Sequence, residues 1–156
     1  QWVRADFYNP ASQLIIKITD PVVKPLRRII PGFAGIDMAT LLLAFLVVVL
    51  KNILLLQQLN PLAIGLLSLG DTLTLIVNIF MYAIIIQAVL SWVNPDPYHP
   101  MMSLLNSLTN PILKHVRNII PPISGIDLSS LFAIIGLMVI VQSINYLLPM
   151  LFEVLV

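Results

Sequence analysis

The sequence contains no cysteine and only two histidines. Without cysteine the chain can form no disulfide, thiolate nucleophile, iron–sulfur cluster or cysteine-ligated zinc site. His99 and His115 are too few for a multi-histidine metal or haem site within one chain. We therefore predict no metal site and no cofactor.

Charge is also scarce, since Asp, Glu, Lys and Arg make up 10% of the residues and the net charge is +1. So small a net charge gives no strong field that would hold nucleic acid, and we expect none to be bound directly. No Ser/His/Asp set, phosphate-binding glycine loop or pair of catalytic carboxylates can be found in the sequence. We therefore predict no catalytic residue, and the protein is expected not to be an enzyme.

Apolar residues take the place of these groups. They make up 59% of the chain, against about 45–50% in an ordinary soluble domain, and the mean hydropathy is +1.00. Three stretches, residues 38–59, 72–93 and 128–148, reach the length of about 20 mostly apolar residues that a membrane-spanning helix needs. The composition therefore predicts an all-α integral membrane protein with three spans in this sequence.

The segments 10–31 and 100–122 are too polar to span and have an amphipathic helical pattern. In the first segment apolar residues recur at steps of three and four: Ile15, Ile18, Val22, Leu26 and Ile29. Asp20-Pro21 and Asn110-Pro111 resemble an N-cap followed by proline at the first helical position. Each segment is therefore expected to form two short helices on the membrane surface.

A repeat with a period of 90 residues relates these two segments. Of the 41 positions from Trp2 to Leu42, 17 are identical to the residue 90 positions later. We assign residues 1–60 to the first copy, 61–71 to a periplasmic connection and 72–156 to the second copy. The second surface segment follows a span that ends at Ser91-Trp92-Val93. The first copy begins with the equivalent positions, Gln1-Trp2-Val3, so a fourth span is expected upstream of them.

The basic residues predict the orientation. Of the eight Lys and Arg residues, seven lie in or beside the two surface segments, and residues 60–71 contain none. By the positive-inside rule both surface segments are cytoplasmic in a bacterial inner membrane. Two copies of the same orientation, each a span, a surface segment and a span, form a parallel repeat.

Specific motifs within the repeat indicate a family. Pro-Leu-Arg-Arg-Ile-Ile-Pro at 25–31, followed by Gly-Ile-Asp at 35–37, is echoed by Val-Arg-Asn-Ile-Ile-Pro at 116–121 and Gly-Ile-Asp at 125–127. This doubled signature resembles the YggT family, also called YlmG-like. The resemblance covers nearly the whole chain. The second copy departs from the pattern, with His115 in the place of Pro25 and Asn118 in the place of Arg28.

The resemblance implies a small, two-repeat inner-membrane protein with no established enzymatic activity. Bacterial members are associated with osmotic and ionic stress tolerance. Photosynthetic relatives are linked to cytochrome complex maturation and nucleoid distribution.

Five cations form the first candidate site: Lys24, Arg27, Arg28, Lys114 and Arg117. One interpretation is that they meet anionic head groups as part of interfacial helices, at about 1 kcal/mol each. The alternative is a defined pocket, shared by both copies, for a phosphate-bearing lipid or a partner protein.

Three carboxylates, Asp37, Asp71 and Asp127, each stand directly before a predicted span. A carboxylate there can cap the helix and complement its positive end. Alternatively, Asp37 and Asp127 pair with the arginines of their own copy.

Lys51, Asn52 and Gln142 are polar residues within the spans, and Asn52 and Gln142 occupy equivalent positions in the two copies. Lys51 lies about 20 Å into its span, where a charge suggests a functional site. It either snorkels or pairs with Asp71, or it takes part in ion or proton handling. The amides either bond neighbouring helices or line a polar path.

Two functions therefore remain open. The first is a non-enzymatic scaffold or assembly protein whose basic segments bind membrane lipid and a membrane protein partner. The second is a small channel or transporter component. Because so few short spans rarely enclose a pore, the second hypothesis requires a homo-oligomer.

Overall fold

The computed structural model describes residues 8–33, 35–56, 60–93, 99–121 and 128–155. Within these residues the chain forms five α-helices and no β-strand: α1 (Pro10–Ile29), α2 (Met38–Leu56), α3 (Pro61–Val93), α4 (Pro100–Ile119) and α5 (Ser129–Leu155). Helices α2, α3 and α5 are long and apolar enough to cross a bilayer. Over the described residues, the predictions of an all-α fold and of three helices long enough to span a membrane are confirmed.

Helices α1 and α4 begin in the same way. The Asn9 side chain accepts a hydrogen bond from the Ala11 amide at 2.9 Å, and His99 Nδ1 accepts one from the Met101 amide at 3.3 Å. A proline follows each cap at the first helical position, where its missing N–H costs nothing. The first residues of α1 and α4 are 90 positions apart, and so are their last residues, which is the period of the sequence repeat.

The expected division of each surface segment into two helices is wrong. Helix α1 continues through Pro21 and Pro25, and α4 continues through Pro111. An internal proline removes one backbone hydrogen bond and crowds the preceding turn, at a cost of about 3 kcal/mol. Packing offsets this cost, since Val23, between the two prolines of α1, and Leu113 of α4 are almost fully buried.

Residues 61–71, which we assigned to the periplasmic connection, form the first three turns of α3. The cap belongs to Asn60, whose Oδ1 accepts hydrogen bonds from the amides of Leu62 and Ala63 at 3.1 and 3.4 Å. Asp71 lies inside the helix and does not cap it. With 33 residues α3 is about 50 Å long, so it tilts in, or projects from, a hydrocarbon core of about 30 Å.

Helix α3 is central to the bundle and contacts α2, α4 and α5, whereas α1 contacts α2 and α4. The small core lies where α3, α4 and α5 meet, at Ile84, Leu113 and Ala133. Most other apolar side chains of the spans are exposed, which suits helices surrounded by lipid. Asn9 Nδ2 donates to the Pro100 carbonyl at 2.7 Å and so joins the beginnings of α1 and α4.

Gly70 allows α3 and α5 to approach closely. A Cβ at this position would overlap Leu148 Cδ1 of α5. In the sequence Gly70-Asp71 resembles a helix break, but in the fold the glycine makes room for a neighbouring helix.

Candidate functional site

The turn between α1 and α2 is held by its own backbone. Phe33 and Ile36 exchange two hydrogen bonds, of 3.1 and 2.9 Å. Gly35, between them, has a φ of 78°, in the left-handed region that residues with a Cβ rarely adopt. This tight turn places Asp37 at the start of α2 and opposite the last turn of α1.

Asp37 both caps α2 and pairs with Arg27. Its Oδ1 accepts from the Thr40 amide at 3.3 Å, and its Oδ2 accepts from the Thr40 hydroxyl at 2.7 Å. Arg27 Nε donates to the same Oδ2 at 2.7 Å. Burial acts to raise the pKa of Asp37, but the hydrogen bonds from Arg27 and Thr40 outweigh it and lower the pKa below its ordinary value.

The structure does not bring the five predicted cations into one pocket. Lys24 pairs with Asp20 at 2.7 Å, and Arg27 also lies 3.9 Å from that carboxylate. Among the described residues, Arg28 and Lys114 have no carboxylate within 4.0 Å and are exposed. The first copy therefore contains both neutralised and unneutralised cations.

Arg117 has different surroundings from Arg27, its equivalent in the first copy. It lines a cleft between α3, α4 and α5, and none of the other four predicted cations lines that cleft. The residue equivalent to Asp20 is Asn110, so α4 lacks one of the carboxylates that hold Arg27. Asp127 lies outside the described residues.

Lys51 and Asp71 are brought together between α2 and α3. Lys51 Nζ lies 2.6 Å from Asp71 Oδ2, which also accepts from Asn52 Nδ2 at 3.1 Å. Asn52 donates to Ser68 Oγ at 3.1 Å and is 5% exposed. The Lys51 and Asp71 side chains are 49% and 43% exposed. The ion pair therefore lies at the edge of the contact between α2 and α3, and the Asn52 amide lies inside that contact.

Gln142 is placed differently from Asn52, although the repeat makes them equivalent. It is exposed on α5 and lines a shallow groove with Ser143 and Tyr146. The two amides therefore do not meet in a common path within the described residues.

A second polar contact joins α3 to α4. Gln87 Nε2 donates to Asn106 Oδ1 at 2.6 Å, and the buried Thr109 hydroxyl lies against Gln87 Oε1. Sequence reasoning expected amides to bond between helices but missed Asn106, Thr109 and Ser68. Asn106 and Thr109 are three residues apart on one helix, and this spacing was an available signal that they share a face.

Two comparisons with known proteins bear on this site. A family model described as CCB3/YggT matches residues 1–58 and 66–148. The chain belongs to the YggT family. The first matched segment contains Arg27 and Gly-Ile-Asp at 35–37, and the second contains Arg117 and Gly-Ile-Asp at 125–127.

Relatives in the YggT family are similar along most of the chain. An uncharacterized protein of Pseudomonas aeruginosa is 42% identical over 146 residues, which cover 90% of this chain and 74% of the relative. An Escherichia coli protein called YggT is 37% identical over 144 residues, 90% of this chain and 74% of the relative. The protein ycf19 of Guillardia theta is 33% identical over 69 residues, 44% of this chain and 76% of the relative. No solved structure gives a significant match.

Among the described residues of this YggT family member, no group of His, Cys, Asp and Glu side chains could hold a metal ion. The polar chemistry of the described chain lies instead in the α1–α2 turn, the Lys51–Asp71 pair, the Gln87 contact and the Arg117 cleft. These are arrangements of ion pairs and hydrogen bonds between helices. They hold helices together and present cations.

Proposed function

We propose that this YggT family protein is a non-enzymatic scaffold or assembly protein of the bacterial inner membrane. Its basic helices α1 and α4 face the cytoplasm, bind anionic lipid and recruit a membrane protein partner. Through that partner it contributes to osmotic and ionic stress tolerance, as the family resemblance implies. The observation that carries the proposal is the exposed apolar strip of α1, with exposed cations on the polar side of the same helix.

The apolar strip of α1 is uncovered. Ile15, Ile18 and Val22 fall on one face and are 54%, 68% and 52% exposed. In α4 the residue equivalent to Ile15 is Leu105, which is 6% exposed. An uncovered apolar strip on a helix of a membrane protein favours insertion at the lipid interface.

The cations of α1 lie on the polar side of the helix, away from this strip. Lys24 remains 69% exposed although it is paired, and Arg28 is exposed without a carboxylate partner among the described residues. Each cation near an anionic bilayer surface contributes about 1 kcal/mol. We therefore expect insertion of α1 to depend on both the apolar strip and the lipid charge.

A fluorescence experiment tests the lipid contact, and the absence of cysteine makes single-cysteine labelling clean. Ile18→Cys carries an environment-sensitive dye on the apolar strip, and Gln13→Cys carries it on the opposite, exposed side as the matched control. In nanodiscs with anionic lipid we expect a blue-shifted emission at position 18 only. The combined Lys24→Gln and Arg28→Gln change should reduce the shift. Equal emission from both labels, or no dependence on lipid charge, would contradict the proposal.

A purification experiment tests the scaffold role. The protein is isolated in mild detergent from cells grown at high osmolarity, and co-eluting proteins are identified. We expect one membrane protein to be lost from the Lys24→Gln, Arg28→Gln variant while the protein itself stays inserted and abundant. Cells with that variant should also lose tolerance to high salt. Full tolerance with the partner lost would separate the two parts of the proposal and refute the link to stress.

The Lys51–Asp71 pair favours a second candidate function, a small oligomeric channel or transporter component. A half-exposed ion pair within the spans is the feature expected of a polar path that a second copy completes. Ion flux into liposomes containing the purified protein tests this candidate. Flux that Lys51→Met abolishes, from an oligomer of defined size, would favour the channel over the scaffold.

A further inference from the structure

The Arg117 cleft, defined above between α3, α4 and α5, has a volume of about 620 Å³. This is within the range of about 300–1,000 Å³ that is typical of small-molecule sites. Its polar lining includes Ser91, Arg117 and Ser130. Ser91 lies two residues before the end of α3, and Arg117 lies two residues before the end of α4. Ser130 is the second residue of α5. The polar groups thus gather where three helices end together.

The rest of the lining is apolar except for Gln87, whose amide is bonded to Asn106 and Thr109, and it lies deeper along the helices. Ile84 is seven residues before Ser91, about 10 Å along the axis of α3, and Ile134 is four residues after Ser130, about 6 Å along α5. Ile84 is 1% exposed, whereas Leu131 is 53% exposed. The cleft therefore runs from a buried apolar floor to an open side, with its charge at one end.

We propose that this cleft binds one anionic phospholipid molecule. The guanidinium of Arg117 holds the phosphate, since arginine binds phosphate through two parallel hydrogen bonds, and the Ser91 and Ser130 hydroxyls supply further donors. The acyl chains follow the apolar lining past Leu131 towards Ile134. The apolar depth selects a lipid over free phosphate, which would leave that lining uncovered.

The two copies differ in a way that supports this assignment. In α1 the equivalent arginine, Arg27, is engaged by two carboxylates, Asp20 and Asp37. In α4 the counterpart of Asp20 is Asn110, which carries no charge. One carboxylate that would compete with a phosphate is therefore absent from the second copy. Basic pockets between membrane helices on the cytoplasmic side are typical sites for anionic head groups.

This inference rests on the proposed lipid binding and narrows it to a single molecule at a defined place. The two can fail separately. The dye on α1 reports insertion of the surface helix into bulk lipid, whereas lipid that stays bound through detergent washing reports the cleft. A protein that retains one lipid but whose α1 ignores lipid charge would support the cleft and refute the proposed function.

The experiment measures lipid retained by the intact chain. The protein is extracted in mild detergent, washed extensively and analysed by native mass spectrometry for bound phospholipid. We expect about one anionic phospholipid per chain, and at least a tenfold lower bound fraction in Arg117→Gln. Leu131→Trp, which keeps the charge and fills the open side, should lower it similarly. Lys17→Gln removes an exposed cation of α1 that does not line the cleft, and lipid retention by this variant should equal that of the unmodified protein.

Three results would overturn the assignment. The first is equal retention by Arg117→Gln and the unmodified protein, and the second is an equal loss from Lys17→Gln, which would indicate a general charge effect. The third is displacement of the lipid by excess inorganic phosphate with no effect of Leu131→Trp, since this would indicate a phosphate site without an acyl contact. If far-UV circular dichroism shows that Arg117→Gln does not fold, Leu131→Trp decides the outcome.

Discussion

The Lys51–Asp71 pair allows a quantitative test of how charge is accommodated between α2 and α3. Lys51→Met keeps the length of the side chain and removes its charge. Asp71 then retains the hydrogen bond from Asn52 Nδ2, at 3.1 Å, but loses the ammonium at 2.6 Å. The carboxylate becomes an uncompensated charge within a membrane-spanning helix.

The expected cost lies between two limits. Breaking a fully buried ion pair costs about 3–5 kcal/mol, and breaking one on a water-exposed surface costs about 0–1 kcal/mol. Because Lys51 and Asp71 are 49% and 43% exposed, yet lie within spans, we expect Lys51→Met to lower the free energy of unfolding by about 2 kcal/mol. The double change, Lys51→Met with Asp71→Asn, removes both charges and still leaves an amide oxygen for Asn52. It should recover at least about 1 kcal/mol.

The assay is reversible unfolding in mixed micelles, followed by far-UV circular dichroism as the denaturing detergent is increased. Lys17→Met is the control, because Lys17 is an exposed cation outside the spans with no carboxylate partner among the described residues. The control should stay within about 0.5 kcal/mol of the unmodified protein. The reasoning fails if Lys51→Met behaves like this control, or if the two single changes simply add in the double variant.

Because the pKa of Asp37 is lowered in the folded protein, the ionised carboxylate contributes fully to stability above the ordinary pKa of 3.8, and this contribution declines as the pH falls below that value. The free energy of unfolding measured from about pH 6 to about pH 3 should show this decline. Asp37→Asn should make the decline smaller. Gly70→Ala should be less stable than Gly65→Ala by about 1 kcal/mol, because both gain helix propensity but only the methyl at position 70 overlaps the Leu148 side chain of α5. Equal effects would contradict the close helix contact. A reporter inserted at residues 57–60 should read as periplasmic and one at 94–98 as cytoplasmic, and the opposite readings would reverse the proposed orientation.

Composition and run length were enough to predict the class of the protein. A span must satisfy its backbone hydrogen bonds internally, so a run of about 20 apolar residues has few alternatives to a helix. That constraint acts residue by residue along the chain, which is why α2 and α5 begin within one residue of their expected positions. The repeat also predicted that α1 and α4 would have matching bounds, because the same caps and the same proline stand at the same offset.

Local signals failed where a distant residue decided the structure. Gly70-Asp71 resembles the end of one helix and the cap of the next, but Gly70 accommodates Leu148, and Asp71 is paired with Lys51. Asp20-Pro21 resembles a helix start, but α1 continues through it, with Val23 almost fully buried in the bundle. A cap or a break is worth about 1 kcal/mol, and packing and pairing within the bundle outweigh it.

The sequence by itself determined that this protein has helices long and apolar enough to span a membrane and motifs that recur after 90 residues, because hydrophobic length and motif spacing are properties of the chain alone. Only the tertiary structure decided how two equivalent residues come to differ. Arg27 is held by carboxylates while Arg117 lines a cleft, and Asn52 is buried against α3 while Gln142 is exposed. The physical reason is that burial and pairing depend on which helix lies opposite, and α3 contacts α4 but not α1.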